Sequence, residues 1–158
     1  MPTPPVIGQA APDFSGLSSK GEVLSLSDFK GQYLILYFYP KDKTPGCTQE
    51  GIDFTTHYAA FKKQHAAILG VSRDSIHCHQ SFRSKYDFPF ELLADENGEI
   101  CHAYDVKKHK ILYGKINLGL ERSTFLIDSE GKLVYAWRKV RVRGHVEAVL
   151  AKIKELQA

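Results

Sequence analysis

A chain of 158 residues, 43% hydrophobic and 25% charged, can bury a core without disulfides or metal, which excludes disordered, collagen-like and small-scaffold classes. Its 21 Lys and Arg against 18 Asp and Glu leave a formal charge of +3, too small to make nucleic acid the expected partner. The longest apolar run, Tyr33 to Tyr39, is seven residues where a membrane helix needs about 20, so no membrane partner is expected.

The N-terminal segment Met1-Pro-Thr-Pro-Pro-Val-Ile-Gly8 has neither a basic nor an apolar leader region, and a cytoplasmic location is the expectation. Three cysteines, none in a C-x-x-C pair, leave at least one thiol free. Tyr33 to Tyr39 is a continuous β-prone run closed by Pro40; it reads as a strand buried on both faces at the centre of a sheet. After the loop Lys41 to Thr44 a helix is predicted, with Thr44 as its cap and Pro45 in its first position. Gly51, Phe54, Tyr58 and Phe61 repeat at helical spacing, and Cys47 extends the stripe. Ala67 to Ser72 is a second buried strand, and Asp74 or Ser75 can cap a helix reaching Tyr86.

A short apolar stretch, Phe90 to Leu93, precedes a predicted helix from Glu96 to Tyr104, and Val106 to Glu121 reads as a long irregular connection. Ser123 to Asp128 and Lys132 to Val140 are predicted strands joined as a hairpin by residues 129–132, and a helix from His145 to Leu156 closes the chain. No repeat or linker interrupts this alternation, so one α/β domain over residues 1–158 is expected.

Cys47 stands three residues past a Thr cap, at the start of the helix that follows the central strand. Unpaired backbone N–H groups and the helix dipole there favour the thiolate, the reactive form. Open α/β sheets also bind ligands beyond the C-terminal ends of their central strands. The plain alternative for Cys47 is a small core residue. T-x-x-C looks like a redox C-x-x-C whose first sulfur has become a hydroxyl, which rules out direct dithiol exchange through that motif.

Pro40, Thr44 and Cys47 form P-x-x-x-T-x-x-C, which resembles the peroxidatic motif of peroxiredoxins. The string Phe38-Tyr-Pro-Lys-Asp-Lys-Thr-Pro-Gly-Cys-Thr-Gln-Glu50 is most similar to the bacterioferritin-comigratory-protein, or PrxQ, subgroup. The likeness continues through Gly8, Ala11 to Phe14, Leu26 to Gly31, Tyr113-Gly114 and Glu121 to Asp128, nearly the whole chain. It implies a thioredoxin-like α/β fold with a central mixed sheet flanked by helices, and a thiol peroxidase for hydrogen peroxide or organic hydroperoxides without a bound cofactor. By resemblance, Cys47 attacks the peroxide and becomes a sulfenic acid. Thr44 hydrogen-bonds sulfur and peroxide, Arg122 supplies a permanent positive charge, and Pro40 shields the pocket. Glu50 matches a position that orients the arginine, with an exposed helical Glu as the alternative, and is left out of the catalytic core.

The chain departs from the subgroup where a resolving cysteine would stand. Position 52, five residues after Cys47, is Ile. Cys78 is the possible resolving residue, but it lies 31 positions after Cys47, about a turn short of the family position, where this chain has Arg83. A turn is about 5.4 Å and a disulfide needs Cα atoms within about 7 Å, so Cys78 would require unwinding. Cys101 reads as a buried helix residue. Resolution by an external thiol is the expectation, from thioredoxin, glutaredoxin or a low-molecular-weight thiol. An intramolecular Cys47–Cys78 disulfide reduced by thioredoxin is the alternative. A monomer is expected from the subgroup.

Two features invite readings of other classes. His77-Cys-His79 and Cys101-His102 carry metal-ligand types, but helical residues two apart point about 200° apart, so no metal is expected. Arg138 to Arg143 would place Arg141 and Arg143 on one face of a strand, a basic stripe for an acidic partner or a charged edge that resists aggregation. No P-loop, G-x-G-x-x-G or H-E-x-x-H is present.

Overall fold

The computed structural model describes residues 4–112 and 114–157. Residues 1–3 of the N-terminal segment and Tyr113 of the family resemblance lie outside them. In chain order come β1 (Ser15–Ser18), β2 (Val23–Ser25), a 3-10 turn (Leu26–Phe29), β3 (Tyr33–Phe38), α1 (Pro45–Thr56), α2 (Tyr58–Lys63) and β4 (Ala66–Ser72). They continue with α3 (Ile76–Tyr86), β5 (Glu91–Ala94), α4 (Glu99–Ala103), β6 (Lys107–Leu112), β7 (Lys115–Leu120), β8 (Ser123–Ile127), β9 (Leu133–Trp137) and α5 (His145–Gln157).

Seven strands form one mixed sheet in the order β2-β1-β5-β4-β3-β8-β9, with β5, β4 and β3 parallel and the remaining pairs antiparallel. The aromatic run at β3 lies one place from the middle, where β4 stands. Successive β3 side chains serve opposite faces, as a two-residue period requires. Ile35, Tyr37 and Tyr39 join Phe54, Phe82 and Val149 in one core, while Leu34, Leu36 and Phe38 join Ile100, Tyr104 and Phe125 in the other. Each such burial contributes about 1.5–3 kcal/mol, so a sheet covered on both sides is the stable arrangement. Among the described residues no helix is long and apolar enough to cross a membrane.

The structure revises several sequence expectations. The helix predicted through Phe61 breaks at His57, because the Thr55 and Thr56 hydroxyls donate back to the carbonyls of Gly51 and Ile52 at 2.8 and 2.9 Å. Val106 to Glu121 is largely a hairpin of β6 and β7, its two-residue connection containing Gly114 at φ +75°. A ribbon outside the main sheet is held by its own backbone ladder, so Lys107-Lys-His-Lys110 needs no apolar alternation. The helix predicted from Glu96 begins at Glu99, after a turn in which the Asp95 carboxylate accepts the N–H groups of Ile100 and Cys101. β1 and β2, too short for a visible period, were not anticipated.

The strand predicted to Val140 ends at Trp137. Arg138 turns to donate to the carbonyls of Asp105 and Tyr104 at 2.9 and 3.0 Å and lies over the Phe125 ring. Arg141 and Arg143 therefore fall in the loop before α5, and the strand-borne basic stripe is not formed.

Gly51 of α1 packs against Phe88, in the turn between α3 and β5. A Cβ there would sit 2.4 Å from Cζ of Phe88, a ring itself held by Phe82, Tyr86 and Phe90 with centroids 5.0, 5.8 and 5.3 Å away. Gly51→Ala should lower the unfolding free energy by about 1–2 kcal/mol in a urea titration, overpacking outweighing the helix propensity gained. A more stable variant would show that the ring gives way freely.

Candidate active site

Two sheet neighbours bring the site together. β3 ends at Phe38 and leads through the loop to α1, while β8 runs antiparallel beside it with Ser123 opposite Phe38. Arg122, one residue before β8, thereby reaches the end of β3 where α1 begins. Its backbone is fixed by the Val140 N–H, which donates to the Arg122 carbonyl at 3.0 Å.

Cys47 is the third residue of α1 and only 2% exposed. Arg122 Nη2 donates to its sulfur at 3.3 Å, and Nη1 donates to Glu50 Oε1 at 2.6 Å. Glu50, one turn along α1, is fully buried, so the alternative of an exposed helical Glu is wrong. Gly46 makes the approach possible, since a Cβ there would stand 3.1 Å from Nη2. The expected Thr44 cap is not made: Thr44 takes the N-cap place, but its hydroxyl donates to the Lys41 carbonyl at 2.8 Å. With Pro45 first in the helix and lacking an N–H, part of the need for that cap is gone.

Pro40 is exposed at the mouth. With Leu120, Arg122, Val140, Lys108 and Lys139 it lines an open cavity of about 410 Å³. Pro40 and Arg122 share this cavity, Cys47 adjoins it through Arg122, and Thr44 stands at the start of the helix that carries Cys47. Cys78 is exposed on the first turn of α3, its N–H donating to the Ser75 cap at 3.2 Å. Arg83 is committed elsewhere, with Nε donating to the carbonyls of Phe88 and Phe90 and the head pairing with Glu91 at 3.0 Å. Cys101 is buried, and burial with Asp95 beside it pushes its thiol far up.

Burial pushes Glu50 up to about 7, with the charge of Arg122 pulling the other way. Among the described residues the buried Oε2 of Glu50 has no partner. Burial disfavours the charge on Arg122, but Glu50 and the Cys47 sulfur outweigh it and push the guanidinium up. Nearby, Thr124 Oγ1 meets Nε2 of the buried His145 at 2.8 Å, and Trp137 packs edge-on against that imidazole. Burial first and Arg122 second lower His145 to about 4, so it is neutral at physiological pH.

Glu50 and His145 bend the stability profile in opposite senses. A carboxyl raised in the folded state binds its proton more tightly there, so its contribution is present below about pH 4.5 and is lost as pH rises through about 7. The lowered imidazole of His145 adds stability as pH rises from about 4 to 6.5. Glu50→Gln should therefore remove a downward component of stability between about pH 4.5 and 7, read as the wild-type-minus-variant difference in urea midpoints. A difference that does not change with pH would show that Glu50 is not raised.

The AhpC/TSA family model matches residues 7–136. Peroxiredoxin Bcp of Bacillus subtilis is 49% identical over 150 residues, covering 95% of this chain and 96% of that protein. Peroxiredoxin Bcp of Xanthomonas campestris is 52% identical over 136 residues, covering 86% and 85%. A Cys-to-Ser variant of PrxQ from Xylella fastidiosa superposes with a TM-score of 0.93 at 42% identity, covering 99% of each chain. A bacterioferritin comigratory protein structure from Xanthomonas campestris, described in terms of alkyl peroxide reduction, superposes at 0.91 with 46% identity, covering 97% of this chain and all of that one. With a thioredoxin-like mixed sheet, a motif cysteine under an arginine and relatives of this kind over almost its full length, the chain belongs to the AhpC/TSA family as a peroxiredoxin of the Bcp (PrxQ) type, a thiol-dependent peroxidase.

Proposed function

We propose that Cys47 is the peroxidatic cysteine and that an external thiol completes its cycle. The observation that carries the first part is the single guanidinium of Arg122 donating to both the Cys47 sulfur and the buried Glu50. A cation held there remains in place to stabilise charge developing on the peroxide. The thiolate attacks the terminal peroxide oxygen and the O–O bond breaks. The departing oxygen keeps the bonding pair and takes up a proton, leaving as water or alcohol, while Cys47 becomes a sulfenic acid. The Thr44 proton is engaged by Lys41, so its oxygen can accept from the peroxide O–H. Pro40 flanks the mouth. Leu120 and Val140 give the cavity an apolar wall that supports organic hydroperoxides as substrates alongside hydrogen peroxide.

The outward position of Cys78 supports an external thiol. So does a comparison with two variants of Xanthomonas campestris PrxQ, which carry serine in place of cysteines 36 positions apart. The same offset from Cys47 falls on Arg83. The incoming thiol displaces water from the sulfenic acid to form a mixed disulfide, and a second thiol releases Cys47. Thioredoxin, glutaredoxin or a small thiol fits this role. A cycle fed by free thiols needs a reducing compartment, which supports action in the cytoplasm. The subgroup likeness supports a monomer.

Cys47→Ser should abolish peroxide turnover while the protein stays folded, and substantial residual turnover would overturn the assignment. Arg122→Ala should slow the reaction of Cys47 with peroxide by about 10²–10³-fold in stopped-flow measurements. After one equivalent of hydrogen peroxide without added thiol, peptide mass analysis should find oxygen on Cys47 and no cross-link. A Cys47–Cys78 disulfide would replace the external-thiol cycle by an intramolecular one.

A further inference from the structure

The loop Lys41–Thr44 sets where the Thr44 hydroxyl stands relative to Cys47. Lys43 within it has φ +65°, a left-handed conformation unfavourable for a residue with a side chain, so contacts must hold the loop. They come largely from the segment that opens α3. The Asp42 N–H donates to Asp74 Oδ2 at 2.8 Å, and Lys43 Nζ donates to Ser81 Oγ at 2.6 Å. The Asp42 carboxylate accepts from the Tyr39 hydroxyl at 2.6 Å on one oxygen and faces His79 Nδ1 at 2.7 Å on the other.

The Asp42 and His79 side chains are 3% and 0% exposed. Nε2 of His79 lies 2.8 Å from the Leu93 carbonyl, which can only accept, so Nε2 carries a proton. A second proton must lie between Nδ1 and the carboxylate, because two lone pairs facing each other at that distance in a dry site would repel. This proton-bound pair ties the loop to α3 and β5, and no step of the peroxide chemistry above consumes it. Isolated buried charges are costly, so neither partner tolerates loss of the other.

We infer that Asp42 and His79 are positioning residues for the peroxide step, holding the loop so that Thr44 faces the reacting oxygen. The inference rests on Cys47 being the peroxidatic cysteine. Cys47 itself is held by α1 and by Arg122, the residue before β8, so breaking the pair should move Thr44 and leave the sulfur in place. That separation can be measured. Reaction with peroxide needs Thr44, whereas alkylation by iodoacetamide needs only an accessible thiolate.

The experiment compares second-order constants of Cys47 for hydrogen peroxide and iodoacetamide in wild type, Asp42→Ala, Asp42→Asn and Tyr39→Phe, each in a Cys78→Ser background. Asp42→Ala should lose about tenfold to a hundredfold toward peroxide and little toward iodoacetamide. Asp42→Asn should recover most of that loss, since its amide can donate to Nδ1 of a neutral His79 and its carbonyl can accept from Tyr39. Tyr39→Phe removes one donor without removing packing and should show a smaller loss of the same selectivity, which keeps the test open if Asp42→Ala does not fold. Folded variants with wild-type peroxide constants, or constants for both reagents falling in step, would overturn the inference. Failure of the Cys47 reading would be visible separately, as absence of rapid peroxide reaction in the parent Cys78→Ser protein.

Discussion

One guanidinium holds the site together. Arg122 is largely buried with one face open to the cavity, and Glu50 is what makes that burial tolerable, because an unpaired buried cation would cost several kcal/mol. With one nitrogen committed to Glu50, the other is aimed at Cys47 in a fixed direction. The carboxylate thus sets the geometry and the sulfur receives it. Replacing Arg by Lys would lose this division of labour, since an ammonium is a point charge without a planar fork.

The sheet explains why these residues can meet at all. Parallel β3 and β4 send their following segments to the same end of the sheet, one carrying Cys47 and the other opening α3. Antiparallel β8 starts at that end, so the residue preceding it is delivered there. Three stretches far apart in sequence therefore converge on one edge, the usual position of binding sites in open α/β sheets. α1 can lie close because Gly51 has no side chain where the Phe88 ring approaches, and Gly46 leaves room for the Arg122 head.

Local signals made β3, the start of α1 and the placement of Cys47 legible: an aromatic and aliphatic run closed by Pro40, then Thr44 and Pro45 at a helix start. Glu50 was harder, since its partner is 72 residues away and a helical Glu is usually solvated. The role of Arg122 came only from likeness to a family; no local pattern distinguishes it from a surface charge before a strand. Asp42 and His79 looked like a loop acid and half of a weak metal-ligand pair, because the bond joining them depends on α3 lying against the loop. The hairpin of β6 and β7 escaped notice because Lys107, Lys108 and Lys110 interrupt the alternation by which a strand is recognised in sequence. Arg138 looked like part of a strand because nothing in its neighbours signals the carbonyls of Tyr104 and Asp105 that draw it away.

Trp137 is the chain's one tryptophan, and its indole lies 5.7 Å from the His145 ring, which Arg122 influences in turn. Because His145 stays neutral until about pH 4, its titration does not alter the indole's surroundings across the neutral range. The imidazole beside the indole is therefore constant at working pH. The fold carries a single intrinsic tryptophan fluorophore packed against the core cluster that contains Cys47, so changes in that core can be followed in real time without a label.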